Sequence, residues 1–101
     1  MYVATKAALR SIVRVMTTEL ADRGIRVNTV SPGSILTPLH SHSSLEGEIR
    51  DEVAGMIASR TPAGRLGTAE EVAKAVLFLA SDDSSYVQGE EIVVAGGWSA
   101  V

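Results

Sequence analysis

The chain has 101 residues, the size of one small domain, and its 46% hydrophobic and 21% charged residues are typical of a globular protein, which excludes a disordered chain. Nine lysines and arginines against twelve aspartates and glutamates give a net charge of -3, so the charge does not predict a nucleic-acid or anionic-lipid partner. The sequence has no cysteine, which excludes disulfides, thiolate nucleophiles and cysteine-based metal sites. It also has no apolar run that approaches the ~20 residues of a membrane span. We recognise no signal peptide and expect a soluble, cytoplasmic protein without a membrane partner.

Residues 3–23 are predicted to form one helix, because no proline or glycine interrupts them and Gly24 stands where a helix commonly ends. The larger apolar side chains share one face at helical spacing, and these are Leu9, Ile12, Val13, Met16 and Leu20. Tyr2 and Lys6 extend this stripe toward the N-terminus. The opposite face carries mostly small side chains, namely Ala4, Ala7, Ala8, Ser11, Val15 and Thr18. A helix that is apolar or small on nearly every side is expected to be buried by more than its own domain.

Residues 25–30 are β-branched and short, which predicts a strand, and Ser31-Pro32-Gly33 is expected to end it. A polar loop then runs through Pro38 to Ser44. Ser43 and Glu46 have capping-box spacing and predict a second helix. Its apolar side is formed by Leu45, Ile49, Val53, Met56 and Ile57.

Residues 60–67 are predicted to be a connector, and Thr68 and Glu71 repeat the capping-box spacing at the start of a third helix. A turn over residues 82–85 precedes a second strand, residues 91–95, which Gly96-Gly97 ends. Strands that are separated by helices imply a parallel pair with a crossover connection. Because a parallel sheet normally has more strands and helices on both faces, we expect the end of a larger α/β domain.

Tyr2 and Lys6 are the first candidates for chemistry, since they lie four residues apart on one helix face. A phenol has a pKa of ~10, and an ammonium group within ~4–6 Å favours its ionised form. Such a pair is suited to general acid–base catalysis at a carbonyl or alcohol oxygen. Tyrosine and lysine meet at this spacing on many helices, so two unrelated surface residues are the commoner explanation of the spacing alone.

The second candidate is the segment Ser31-Pro-Gly-Ser-Ile-Leu-Thr37, which follows the first predicted strand. Ligands of open α/β sheets bind beyond the carboxyl ends of strands, and a Pro-Gly turn exposes backbone donors and acceptors there. Taken alone, a plain loop is the simpler interpretation. His40 and His42 allow a metal site, but no carboxylate stands before Glu46, and we expect no metal. Trp98 is expected to close an interface or to cover a core.

In this order and spacing, the motifs resemble the C-terminal portion of the short-chain dehydrogenase/reductase family, over essentially the whole chain. The matching segments are Tyr2-Val-Ala-Thr-Lys6, Gly24-Ile-Arg-Val-Asn28, Ser31-Pro-Gly-Ser-Ile-Leu-Thr-Pro38, Gly64-Arg-Leu-Gly67, Glu70-Glu-Val72, Phe78-Leu-Ala-Ser81 and Gly96-Gly97. The resemblance implies the C-terminal part of a Rossmann-type, doubly wound parallel sheet. It also implies NAD- or NADP-dependent oxidoreduction of small alcohols and carbonyls.

The resemblance further implies a role for each matching residue. Tyr2 exchanges a proton with the reacting oxygen, and Lys6 lowers the pKa of Tyr2 and binds the nicotinamide ribose. Pro32, Gly33, Ile35 and Thr37 line the nicotinamide side. Residues 1–38 are thus expected to hold the catalytic helix, the strand and the nicotinamide loop, residues 39–67 a substrate lid and connector, and residues 68–101 the last helix and strand. The first helix, and the third helix with the last strand, resemble interfaces that form dimers and tetramers.

The family's glycine-rich phosphate loop, its active-site asparagine and its serine have no counterpart in these 101 residues. Ala95 stands where relatives often carry aspartate, and we expect a local change of hydrogen bonding there. We therefore expect a C-terminal piece, a truncated product or a mispredicted reading frame, which is inactive alone. The alternative function is a non-catalytic remnant that only associates with other chains, and reading the DNA upstream of the Met1 codon separates the two.

Overall fold

Helices and short parallel strands alternate in the structure, a computed structural model that describes residues 2–36 and 47–98, with the side chains of all of them but Tyr2 and Glu48. The helices in these ranges are α1 (Tyr2–Leu20), α2 (Gly47–Arg60) and α3 (Ala69–Ala80). The strands there are β1 (Thr29–Pro32), β2 (Ile35–Leu36), β3 (Gly67–Thr68) and β4 (Glu91–Val94). The 3₁₀ turns Ala21–Arg23 and Asp82–Ser84 follow α1 and α3. In the described ranges, no helix is long and apolar enough to cross a bilayer.

The ends of α1 and α3 follow the predicted signals. The chain leaves α1 through one 3₁₀ turn, and Gly24 adopts the left-handed conformation with φ 68°. At α3 the predicted capping box is present, because the Thr68 side chain accepts from the Glu71 N–H and Glu71 accepts from the Thr68 N–H. These helix limits are confirmed, whereas Ser43 and Glu46, the predicted cap of α2, lie outside the described residues.

The predicted parallel pair is confirmed by β1 and β4, with Thr29 opposite Glu91 and Pro32 opposite Val94. The expectation that Ser31-Pro32-Gly33 ends the strand is wrong, because β1 continues through Pro32. Thr29 and Gly33 donate their N–H groups to carbonyl groups at Glu90 and Val94, both 2.8 Å away. Alternate residues of a strand donate to the same neighbour, so the nitrogen of Pro32 faces away from β4 and its missing N–H costs this pair nothing.

The predicted strand over residues 25–30 begins four residues later than expected. Before Thr29, Val27 O accepts from Gly89 N at 2.8 Å, and Arg26 and Asn28 bind residues 79–90 of the same chain through their side chains. The Asn28 amide donates to Val87 O at 2.9 Å, and its oxygen accepts from Glu90 N at 3.0 Å. The Arg26 guanidinium donates to carbonyl oxygens of Leu79, Ser81, Ser84 and Val87, and to the Ser84 hydroxyl.

A second parallel pair was missed by the sequence analysis. Ile35 lies opposite Gly67 and Leu36 opposite Thr68, so β2 and β3 form their own two-residue pair. The predicted connector over residues 60–67 therefore ends in a strand, and its first part is also fixed. Ala63 N donates to Gly96 O at 2.9 Å, and a Cβ on Gly97 would lie 2.9 Å from Pro62 Cγ.

Little apolar surface is enclosed within the described ranges. Ile35 is the one buried apolar side chain there, while Leu9, Ile12 and Met16 of the predicted α1 stripe are 48%, 52% and 38% exposed. The radius of gyration is 16.3 Å, against about 13 Å for a compact domain of this length. The apolar face of α1 is thus left uncovered by the described residues.

We expect Arg26→Lys to lower the free energy of unfolding by about 2–4 kcal/mol, because a lysine cannot reach four carbonyls at once and the fully buried Ser84 hydroxyl loses the donor that it accepts from. Urea unfolding followed by circular dichroism measures the change. The matched control is Arg23→Lys in the exposed 3₁₀ turn, which should stay near the wild-type value. Equal effects of the two changes would contradict the structural role of Arg26.

Candidate active site

Lys6 and Pro32, two of the predicted site residues, line the same cleft, which has a volume of about 380 Å³. Lys6 comes from α1 and Pro32 from the carboxyl end of β1. Apolar side chains of both elements, such as Leu9 and Val30, also line the cleft. The Arg10–Glu91 ion pair, with Nε and Oε2 2.8 Å apart, joins α1 to β4 beside it. The fold therefore brings the lysine of α1 to the end of the first strand.

Tyr2 belongs to α1 and lies one helical turn before Lys6. Its side chain is outside the described residues, as are Thr37, His40 and His42. In the described part of the chain, no group of three or more histidine, aspartate or glutamate side chains is placed to hold a metal ion.

Gly33 is fixed by a close approach to the strand end of β4. A Cβ at Gly33 would lie 2.7 Å from Ala95 Cβ and 2.9 Å from Ala95 Cα, closer than real carbon atoms come. The Ala95 carbonyl accepts from Trp98 N at 3.0 Å, and Trp98 is 41% exposed. The absence of a side chain at Gly33 thus lets the chain after β1 pass close over the end of β4.

Ile35 does not share the cleft of Lys6 and Pro32. It is only 9% exposed and lines a separate cavity of about 60 Å³, together with Ser34, Gly67 and Glu71. A Cβ on Gly67 would lie 2.8 Å from Ile35 Cδ1, so this glycine leaves the room that the isoleucine fills. Two residues of the predicted nicotinamide loop therefore line different cavities, Pro32 the larger cleft and Ile35 the smaller one.

An ion pair that the sequence analysis did not single out borders the small cavity. Arg65 Nη1 and Nη2 donate to Glu71 Oε1 and Oε2 at 2.8 and 2.9 Å. The hydrogen bond from Arg65, followed by that from the Thr68 backbone, lowers the pKa of the Glu71 carboxyl from 4.5 to about 2. Glu71 raises the pKa of the Arg65 guanidinium in turn. The capping box signalled Glu71, whereas Arg65 stood in the matching segment Gly64-Arg-Leu-Gly67 without a role assigned to it.

The chain is similar in sequence to a family and to named proteins. A family profile described as enoyl-(acyl carrier protein) reductase matches residues 1–99. The chain is 45% identical over 96 residues to a glucose and ribitol dehydrogenase homolog of Oryza sativa subsp. japonica, covering 95% of this chain and 30% of the relative. It is 47% identical over 96 residues to the 3-oxoacyl-(acyl-carrier-protein) reductase FabG of Salmonella typhimurium, covering 95% and 37%. The chain thus spans about a third of the length of these curated relatives.

Solved structures show the same partial coverage. A gluconate 5-dehydrogenase from Burkholderia cenocepacia in complex with NADP and tartrate superposes with a TM-score of 0.80 at 34% identity, covering 99% of this chain and 38% of that chain. A 4-hydroxyisoleucine dehydrogenase complexed with NADH superposes with a TM-score of 0.83 at 32% identity, covering 99% and 40%. The fold described above is thus part of a larger Rossmann-type α/β fold in these structures.

We expect Gly33→Ala to lower the free energy of unfolding by about 1–3 kcal/mol, because the new methyl group collides with Ala95 and forces the end of β1 away from β4. Gly55→Ala is the matched control. Gly55 lies inside α2 with nothing within 4 Å of an added Cβ, so alanine there should stabilise the chain by roughly 0.5–1 kcal/mol. Urea midpoints that move in the same direction for both variants would contradict the close approach.

Proposed function

The chain belongs to the short-chain dehydrogenase/reductase family, and from that premise we propose that the whole protein transfers a hydride between NAD or NADP and a small alcohol or carbonyl compound. The observation that carries the proposal is the cleft between α1 and β1, which Lys6 and Pro32 share. Its strand wall runs along β1 from Thr29 to Pro32, and Pro32 stands at the carboxyl end, where open α/β sheets bind their ligands.

The described residues suit the nicotinamide end of a dinucleotide in their chemistry. The Lys6 ammonium group can donate hydrogen bonds to ribose hydroxyls, and the exposed ring of Pro32 offers an apolar surface in the same cleft. Gly33 keeps the backbone after β1 free of a side chain that would press into β4. A bound dinucleotide supplies or accepts the hydride.

The acid–base step is assigned to Tyr2. Its phenol donates a proton to the oxygen when a carbonyl is reduced and accepts it when an alcohol is oxidised. Lys6, four residues later in α1, contributes a positive charge that favours the ionised phenol. The Ile35 backbone and Thr37 are proposed to meet the carboxamide of the nicotinamide, and residues 39–59 to cover the substrate.

We expect Tyr2→Phe in the whole protein to lower kcat by at least ~10²- to 10⁴-fold, because the group that exchanges the proton is removed while the ring remains. Turnover is followed by NADH or NADPH absorbance with simple ketones and alcohols. Tyr86→Phe is the control, since the fully exposed Tyr86 lies after α3, outside the cleft. A Tyr2→Phe enzyme with near-normal turnover would exclude Tyr2 as the acid–base group.

A second function, association without catalysis, is favoured by the uncovered apolar face of α1. Exposed apolar side chains of α1 outside the cleft, such as Ile12 and Val15, promote contact with a second helix, which suits a homodimer or a homotetramer. The two functions are compatible in the whole protein. They differ for the 101-residue chain alone, which we propose associates and is not catalytic.

For the isolated chain we expect oligomers in light scattering and no heat on titration with NADH or NADPH. Dinucleotide affinity in such folds comes mostly from a glycine-rich turn that binds the pyrophosphate at a helix N-terminus. Ile12→Lys is the variant that tests the surface, because a charge in the middle of the α1 stripe should shift the chain toward monomers. A monomeric wild-type chain, or micromolar dinucleotide binding by it, would contradict this expectation.

A further inference from the structure

A single exposed carboxylate, that of Glu71, joins three parts of the structure. Each of its oxygens accepts from one Arg65 nitrogen, which makes the ion pair bidentate and fixes its direction. Glu71 Oε1 also accepts from the backbone N–H of Thr68 at 3.0 Å and from its hydroxyl at 3.2 Å. Glu71 therefore holds Arg65, β3 and the first turn of α3 at the same point.

The strand that Glu71 holds, β3, pairs directly with β2. Thr68 lies opposite Leu36 in the β2–β3 pair, and Gly67 N donates to Ser34 O at 3.0 Å. A pair of two residues on each strand is too short to be stable by itself. The position of β2 thus depends on how firmly β3 is held from its other side, where Arg65 and Glu71 meet.

The ion pair is poorly placed to serve stability alone. The side chains of Arg65 and Glu71 are 58% and 40% exposed, and exposed ion pairs contribute little to the free energy of unfolding. The lowered pKa of Glu71 keeps its carboxylate charged at neutral pH, so both oxygens are available as acceptors for Arg65. Two parallel hydrogen bonds fix a direction as well as a distance, which suits a contact that positions β3.

We propose that Arg65 and Glu71 are positioning residues for the dinucleotide, because their ion pair sets the place of β2 and of Ile35 within it. The inference rests on the proposed function, in which Ile35 and Thr37 meet the nicotinamide. Neither side chain needs to touch the cofactor. A small displacement of β2 is enough, since a misplacement of about 1 Å can cost roughly 10²-fold in rate.

Glu71→Gln is the test variant, since glutamine can still complete the capping box but has no charge and only one acceptor oxygen, so the bidentate ion pair with Arg65 is lost. Arg65→Lys is the second variant, which keeps the charge and leaves Glu71 intact but loses the two-pronged contact. Glu70→Gln is the control, because Glu70 pairs with Lys74 at 3.4 Å on the exposed side of α3. The readouts in the whole protein are the Kd of NADH and NADPH by fluorescence and the Tm, with amide exchange at Gly67 and Thr68.

We expect both test variants to raise the dinucleotide Kd by about tenfold, with faster exchange at Gly67 and Thr68 and little change in Tm. Glu70→Gln should leave all three unchanged. A wild-type Kd in both test variants would overturn the inference and leave the proposed function standing. A loss of binding that merely follows a large loss of Tm would also overturn it, since the role would then be structural. A wild-type protein that binds neither dinucleotide would overturn the proposed function, and the inference with it.

Discussion

The hydrogen bonds of one guanidinium group decide where the first sheet begins. Arg26 donates hydrogen bonds to carbonyl oxygens at the end of α3 and in the turn after it, between Leu79 and Val87. Asn28 adds two hydrogen bonds, one to Val87 and one to Glu90, and β1 starts at the next residue, Thr29, opposite Glu91. This register places Pro32 beside Val94 and Gly33 over Ala95. The cleft that Lys6 and Pro32 share follows from that register, since its strand wall is β1.

Local signals predicted those parts of the fold that neighbouring residues determine. The span of α1, its ending at Gly24 and the Thr68–Glu71 cap all depend on contacts within a few residues. The β2–β3 pair could not be predicted in this way, because two residues show no periodicity and their partners are about thirty positions away. The β-branched composition of residues 25–30 was misleading, because Arg26 and Asn28 bind residues 79–90 through their side chains.

In the candidate site, too, the sequence identified residues, whereas the contacts between distant residues became visible only in the fold. Motif order in the sequence selected Lys6, Pro32, Gly33 and Ile35. The fold shows that Lys6 and Pro32 share a cleft, while Ile35 lines a different cavity. The steric reason for glycine at position 33 could not be read from sequence, because the colliding atoms belong to Ala95, sixty-two positions later. Arg65 was overlooked for a similar reason, since its importance comes from the geometry of Glu71 and β3. The roles of Tyr2 and Thr37 remain predictions from motif order.

The contact between Pro62 and Gly97 has a consequence for how such a protein can change over evolution. The chain after α2 is fastened to the turn after β4, through Ala63 N to Gly96 O and the close approach at Gly97. Under the proposed function, the segment that covers the substrate is therefore inserted between two fixed anchor points, the end of β2 and Pro62. Its length and side chains can vary without moving the sheet or the cofactor contacts. New substrate preferences can then arise by replacing one loop and helix, while the catalytic framework is inherited unchanged.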